Sequence, residues 1–310
     1  MSRIWDSLFS KNGLAAKEIA KKLIDFKEGS RIPRVSDLAK EMVVGNGTVQ
    51  GALKVLSEVH AIKLESRGHL GTFLIKKDIH LLKEVAGVGA LIGAMPLPYS
   101  AKYEGFATGI MKVSEDLLDR IDLAYMRGSK QRLDALKSRR YDFVVMSQLA
   151  AEEELKNSVN LEIVLNFGEQ SYVTGHQIFF ANEKHSRITE GMRVGIDYTS
   201  TDQSRITLLE CEKIEVELIP VNYMQLFEML LNGDLDAAVW NADEHRAREA
   251  FRLGEFQSVK AKEIADKAST SVILIEKERT EVKEYLLKLD KDKILDIQEK
   301  VVNKEMFPQY

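Results

Sequence analysis

The sequence predicts an α/β protein in two parts: a small head of helices with one hairpin, and a larger body in which strands alternate with helices. Three observations predict this. Helix-period apolar positions and a turn-bounded hairpin fill residues 14–75. From residue 87 onward, strand-like runs alternate with amphipathic stretches long enough to act as crossover helices. The charge divides at the same place: residues 1–78 hold 14 Lys and Arg against 9 Asp and Glu, and the remainder holds 30 against 39. A basic head on an acidic body implies a polyanionic partner at one end only. We therefore expect domains at 1–78 and 87–310, joined by a linker at 79–86 that reads as a helical connector.

In the head, Leu14, Ile19, Leu23 and Phe26 recur at helical spacing over residues 14–27, and Glu28-Gly29-Ser30 ends that helix. A second short helix is expected over residues 35–42, with Ser36 as its N-cap and Leu38 and Met42 four apart. The turn Val44-Gly45-Asn46-Gly47 leads to a third helix over residues 48–59, with Val49, Ala52, Leu53 and Leu56 on one face. Residues 61–65 and 71–75 read as strands joined by Ser66-Arg67-Gly68-His69-Leu70.

A third helix so placed can enter the major groove with its N-terminal residues against base edges. On that model Asn46, Thr48 and Gln50 face DNA, with Asn46 and Gln50 reading sequence. Lys54, Arg31, Arg34, Arg67 and His69 are then candidate backbone contacts, which supply affinity and salt dependence, with the minor groove as the alternative for Arg67. A tri-helical unit with a hairpin also serves as a protein-interaction module, so the motifs must decide. Pro33 with Asp37-Leu38-Ala39, then Thr48-Val49-Gln50-Gly51-Ala52-Leu53, then Gly68 with Gly71-Thr72-Phe73-Leu74 stand in order. On these motifs residues 31–75 resemble the GntR-type winged helix-turn-helix. That resemblance implies double-stranded DNA as partner, a homodimer and a palindromic operator. The chain departs from the family pattern at Gln50 and Ser36, where arginines that touch DNA are usual. Gln50 can instead pair bidentately with adenine.

In the body, strands are expected over 90–95, 122–126, 142–146, 161–167, 177–181, 193–196, 215–220, 236–240 and 270–276. Helices are expected over 103–118, 130–139, 202–211, 223–231 and 280–289. Strands separated by helices of this length imply parallel sheets. Met95-Pro96-Leu97-Pro98-Tyr99, Asp142-Phe143-Val144-Val145-Met146-Ser147, Arg193-Val194-Gly195-Ile196-Asp197 and the run from Leu230 to Trp240 together resemble a type 2 periplasmic-binding-protein-like domain. This implies two lobes, lobe 1 about 87–175 and 262–310 and lobe 2 about 180–255, with crossings near 168–182 and 241–270. Tyr103-Glu104-Gly105 following Tyr99, taken with both halves, resembles the YhfZ-like regulators.

Ligands of open α/β sheets bind beyond the carboxyl ends of the strands. That rule selects Tyr99, Ser100, Arg127 and Ser147 in lobe 1, and Thr199, Ser200, Thr201, Asp202 and Asn241 in lobe 2. The stretch 199–202 follows a strand and opens a helix, so its amides and hydroxyls suit an anionic group or simply cap the helix. Asp202 itself opposes an anion. Arg127 suits a carboxylate or phosphate, or a surface ion pair. Tyr99 and Trp240 suit stacking, or in the case of Trp240 the core.

His176 and His185 lack metal-ligand spacing, and no metal or cofactor is expected. The single cysteine, Cys211, excludes an intrachain disulfide, reads as buried, and fits a reducing, cytoplasmic setting. The apolar run 85–95 is too short to span a bilayer, and residues 1–10 lack a signal-peptide pattern, so no membrane partner is expected. The run 152–154 of three glutamates reads as a solvated helix face. The expected function is a DNA-binding transcription regulator that responds to a small polar or anionic metabolite. An enzyme built on the two-lobed fold and a pure interaction module are the alternatives.

Overall fold

The computed structural model describes residues 10–87, 90–115, 117, 121–243 and 251–310. The chain divides between Ala90 and Leu91 into two units.

In the first unit, α1 (Lys11–Ile24) is capped by Ser10, whose hydroxyl accepts from the Gly13 amide at 3.0 Å. Small residues on its buried face, Ala15, Ala16 and Ala20, let α3 (Asn46–Glu58) and α4 (Ile79–Ala86) lie against it. The expected Ser36 cap is not used. Arg34 holds the cap position of α2 (Val35–Glu41), and Ser36 sits in the first turn, where its hydroxyl turns to Asp37 at 3.4 Å. Helix α3 begins two residues before its apolar pattern does, because Gly45 adopts the extended cap conformation and polar Asn46 and Gly47 form the first turn. Apolar periodicity is blind to a polar first turn.

Strands β1 (Ile62–Ser66) and β2 (Thr72–Lys77) form the antiparallel hairpin, with a short 3-10 turn at its tip. Residues 29–32 join its inner edge: the Ile32 amide donates to Thr72 O at 2.9 Å and the Leu74 amide to Ser30 O at 3.0 Å. Ile19, Leu38, Val49, Ala52, Leu56 and Leu74 fill the core. Residues 79–86, expected as a linker, form α4. Asp78 caps it through the His80 and Leu81 amides, and Leu82 and Ala86 enter the same core.

The second unit holds two five-stranded sheets. One runs β4 (Ile121–Tyr125), β3 (Leu91–Met95), β5 (Phe143–Ser147), β12 (Ser271–Glu276), β6 (Leu161–Asn166). The other runs β11 (Arg252–Gly254), β7 (His176–Phe180), β10 (Ala237–Asn241), β8 (Arg193–Ile196), β9 (Glu217–Pro220). The parallel expectation holds for β3 with β4 and β5, and for β8 with β9 and β10. It fails at β12, antiparallel to β5 and β6, and at β7, antiparallel to β10 and β11. These two strands carry the chain from one sheet to the other and back, outside the strand–helix–strand repeat that enforces parallel pairing.

Both faces of each sheet are covered. Phe143 and Val145 enter one core while Val144 and Met146 enter another. Phe179 likewise faces away from Ile178 and Phe180. This is why these strands read as continuous apolar runs. The expected helices appear as α5 (Ala101–Glu115), α6 (Ser129–Lys137), α8 (Thr201–Glu210), α9 (Tyr223–Leu231) and α11 (Thr280–Leu286). Leu118, the expected end of α5, lies outside the described residues, as do 88–89, 244–250 and 1–9. Helices α7 (Gln148–Leu155), α10 (Val259–Ser269) and α12 (Lys291–Val302) were not expected. In α7 the apolar residues crowd one end and the glutamates the other, so no helical stripe is visible.

Candidate DNA-binding face and ligand cleft

On α3, Asn46, Gln50 and Lys54 are exposed, Thr48 is half-buried, and Val49, Ala52 and Leu56 are buried. Lys54 meets Glu58 at 3.6 Å, an exposed pair worth a few tenths of a kcal/mol and readily exchanged for a phosphate. The sequence places Arg31 and Arg34 together, ahead of α2. The structure separates them. Arg34 caps α2, whereas the Arg31 backbone bridges to Phe73 on β2. A Cβ added at Gly71 would lie 2.7 Å from Arg31 Nε, so Gly71, at φ 95°, leaves room for that side chain. Arg67 donates to Glu65 at 2.7 Å and lies 4.5 Å over the Phe73 ring. Arg67 therefore lies over a wing residue, and the Arg31 side chain lies beside Gly71 of the same hairpin, with exposed His69 in the turn between its strands.

In the second unit, the loops beyond β3, β4, β8 and β10 border one cleft, with about 700 Å³ of free space including its open mouth. Four polar contacts join the two lobes across it. Arg127 donates to Asp197 at 3.3 Å, the Ser129 and Thr201 hydroxyls meet at 3.1 Å, Ser147 donates to Asp202 at 2.5 Å, and Asn241 donates to the Tyr99 hydroxyl at 3.0 Å. Asp197 is further held by the Thr199 amide and hydroxyl, and Gln203 ties β8 to β10 through Gly195 O and Val239 O.

Arg132 is buried beside the cleft. It donates to Met126 O at 2.8 Å and to the Tyr172 hydroxyl at 3.2 Å, and its Nε is buried without a partner. Tyr103 stands edge-on to both Tyr99 and Tyr172, with ring centroids 5.2 and 5.1 Å apart. Trp240 lines the cleft and also enters a core cluster. Burial pushes His176 down to about 4, so it is neutral at neutral pH, and its Nδ1 has no partner.

Burial pushes the Asp202 carboxyl up to about 6, against the opposing pull of the Ser147 hydrogen bond and the Arg132 charge. A folded-state pKa above the unfolded value means that the folded chain binds this proton more tightly. The resulting stabilisation is complete below about pH 4 and is lost as pH rises through about 6. We expect wild-type stability, measured relative to Asp202→Asn, to fall by about 2–3 kcal/mol between pH 4 and pH 7. Denaturant melts across that range test this. Asp236, held low by the Arg193 hydrogen bond, titrates in both proteins and cancels. A difference independent of pH would remove the assignment.

Of the sequence-predicted ligand residues, Tyr99, Arg127, Thr199, Ser200, Asp202 and Asn241 line the cleft. Ser147 and Thr201 bridge the lobes. Ser100 turns away, its hydroxyl accepting from the Tyr103 amide at 3.4 Å. Ser200 does cap α8, accepting from the Gln203 amide. Gln203, at the end of the loop the strand-end rule selects, also lines the cleft, whereas Tyr103, Arg132, Tyr172, His176 and Asp197 were missed. Arg132 carried a readable signal, since it shares a helical face with Leu136 four residues on. Cys211 is buried at the end of α8, as read, and burial pushes its thiol up to about 11. The 152–154 glutamates are not merely solvated, for Glu152 meets Lys267 at 2.7 Å and Glu153 meets Lys156 at 2.8 Å. Among the described residues no cluster of His, Cys, Asp or Glu is arranged to hold a metal, and no helix is long and apolar enough to cross a membrane.

An N-terminal helix-turn-helix on a two-lobed α/β body defines a protein of the DNA-binding regulator class. Residues 27–74 match the model of a helix-turn-helix domain, and residues 78–310 match that of the YhfZ C-terminal domain. The chain belongs to the YhfZ family. It is 31% identical to the YhfZ protein of Escherichia coli (strain K12), over 98% of this chain and 99% of that protein. The crystal structure of YhfZ from Shigella flexneri is 29% identical and superposes with a TM-score of 0.60, covering 72% of this chain and 94% of that one. The periplasmic aliphatic sulphonate binding protein SsuA from Escherichia coli matches at a TM-score of 0.53 with 13% identity, over 70% of this chain and 75% of its own. At that identity the likeness is one of fold, and it bears out the two-lobed, periplasmic-binding-protein-like reading of the body.

Proposed function

We propose that this chain is a cytoplasmic transcription regulator. On this reading it binds palindromic double-stranded DNA as a homodimer through a GntR-type winged helix, and a small polar or anionic metabolite between the lobes changes that binding. The observation that carries the proposal is the exposed Asn46, Gln50 and Lys54 side of α3, with exposed Arg67 on the hairpin and exposed Arg31 beside it in the same unit. Polar edges on one element and fixed cations on the other match the division between base readout and backbone contact. The cleft supports the sensing half, with buried charges and aromatic walls at the carboxyl ends of the strands. Coupling requires the metabolite to favour one dimer arrangement over another.

Selection of bound duplexes from a random pool, followed by retardation of the selected sequence with and without candidate metabolites, tests the proposal. A two-fold symmetric site is expected, and failure to enrich any sequence at low salt would refute it. Gln50→Ala is expected to lower discrimination at one base of each half-site by about 10–100-fold, equivalent to about 1–3 kcal/mol. An unchanged base preference would take Gln50 out of the readout.

A further inference from the structure

We propose that Asp202 is a built-in occupant of a carboxylate site on the first lobe, formed by Arg132, Ser147 and Tyr172, and that the effector's own carboxylate takes its place. The proposal rests on the ligand-sensing reading of the cleft and names the chemistry of its ligand.

The site is made of donors. Ser147 Oγ accepts from the Ala150 amide at 3.1 Å as the cap of α7, which leaves its proton to point into the cleft. The Tyr172 hydroxyl accepts from Arg132 at 3.2 Å and is also hydrogen-bonded to the Tyr103 hydroxyl. Arg132 is 3% exposed, its Nε lacks a partner, and no carboxylate of the described residues lies within ion-pair distance of it. A buried guanidinium with a free N–H and no direct counter-ion is costly unless an anion completes it.

Among the described residues two carboxylates border the cleft, and Asp197 is already held by Arg127 and Thr199. Asp202 reaches the donor site, from the other lobe, through Ser147, and its charge is felt by both Arg132 and Tyr172. One guanidinium and two hydroxyls suit a singly charged, planar carboxylate, the group that Asp202 itself presents. Burial works against the Asp202 charge. On this proposal the effector acts by exchanging one carboxylate for another.

Trp240 lines the cleft, and the only other tryptophan in the sequence is Trp5. In full-length protein carrying Trp5→Phe, emission then reports the cleft. Asp202→Ala is expected to shift that emission to the red as the lobes part and the indole is wetted. Millimolar acetate should reverse the shift, whereas acetamide and inorganic phosphate should not, and protein that keeps Asp202 should need far more acetate. Unchanged emission in Asp202→Ala, an equal response to acetate and acetamide, or reversal by phosphate alone would overturn the proposal. If circular dichroism shows Asp202→Ala unfolded, Asp202→Asn carries the test. Acetate should then change its emission at concentrations that leave wild-type emission unchanged and acetamide should not, and an equal response of the two proteins to acetate would overturn the proposal. No step uses DNA, so a failure of operator binding and a failure of this proposal are separate results.

Discussion

Replacing Arg31 and Arg67 together by alanine is expected to weaken DNA binding by about 10–100-fold at moderate salt and to make the slope of log affinity against log salt shallower by about 2. The slope is the more diagnostic number, because each phosphate neutralised releases about one condensed counterion whatever the base sequence. Both side chains are exposed, and both are preset. Arg67 lies over Phe73 and is braced by Glu65, while Arg31 occupies the space left by Gly71. A guanidinium already held in place loses little entropy on binding. The Glu65 carboxylate must release or share Arg67, which trims the gain and places the estimate toward the lower end. The substitutions leave the head core of Ile19, Val49, Leu56 and Leu74 untouched, so thermal stability should stay within about 0.5 kcal/mol of wild type. Retardation or anisotropy titrations at several salt concentrations measure both quantities. An unchanged salt slope would mean that the wing does not meet the phosphate backbone.

The head was largely legible in the sequence because local chemistry determines it. Gly45, Gly68 and Gly71 mark turns, and the face of Val49, Ala52 and Leu56 sets the rotation of α3. What escaped was partnership over distance. Arg31 looks like a neighbour of Arg34 until residues 29–32 are seen to pair with β2, and nothing local encodes that pairing. In the body, strand runs were visible because both sheet faces are covered, yet the direction of β7 and β12 was not, since apolar content is the same either way.

The cleft shows the same limit. Loops after strands could be named by rule, which found Arg127 and Asp202. Arg132, one helical turn further on, and Tyr172, on the connection between the lobes, become cleft residues only when the chain has crossed to the second sheet and returned. A buried arginine on the apolar face of α6 was the one cue available.

The largest loss of stability is expected from a pair of glycines. A Cβ at Gly105 would lie 2.7 Å from the carbonyl oxygen of Gln298 and 2.9 Å from its Cα, and one at Gly109 would lie 2.7 Å from the carbonyl oxygen of Ile294. Gly105 and Gly109 are four apart on α5, and Ile294 and Gln298 are four apart on α12, so two helix backbones touch along matching rows. Two effects compete when both glycines become alanine. Helix propensity favours alanine by about 1 kcal/mol per site, and the backbone clash costs about 1–3 kcal/mol per site because carbonyls, unlike side-chain ends, cannot rotate away. The clash should win. Both sites push on one interface, and α12 cannot retreat freely: Gln298, itself buried, donates from Nε2 to Lys102 O and Ser171 O, each at 2.9 Å. Those bonds hold the start of α5 and the loop that carries Tyr172. Gly105→Ala/Gly109→Ala is therefore expected to lower stability by up to about 4 kcal/mol, or a Tm fall of up to about 15 °C for a body of this size. Because Gln298 must move with α12, Tyr172 should loosen as well, so Trp240 emission should shift before the main unfolding step. A raised Tm would show that propensity outweighs the contact, and that α5 and α12 have room between them.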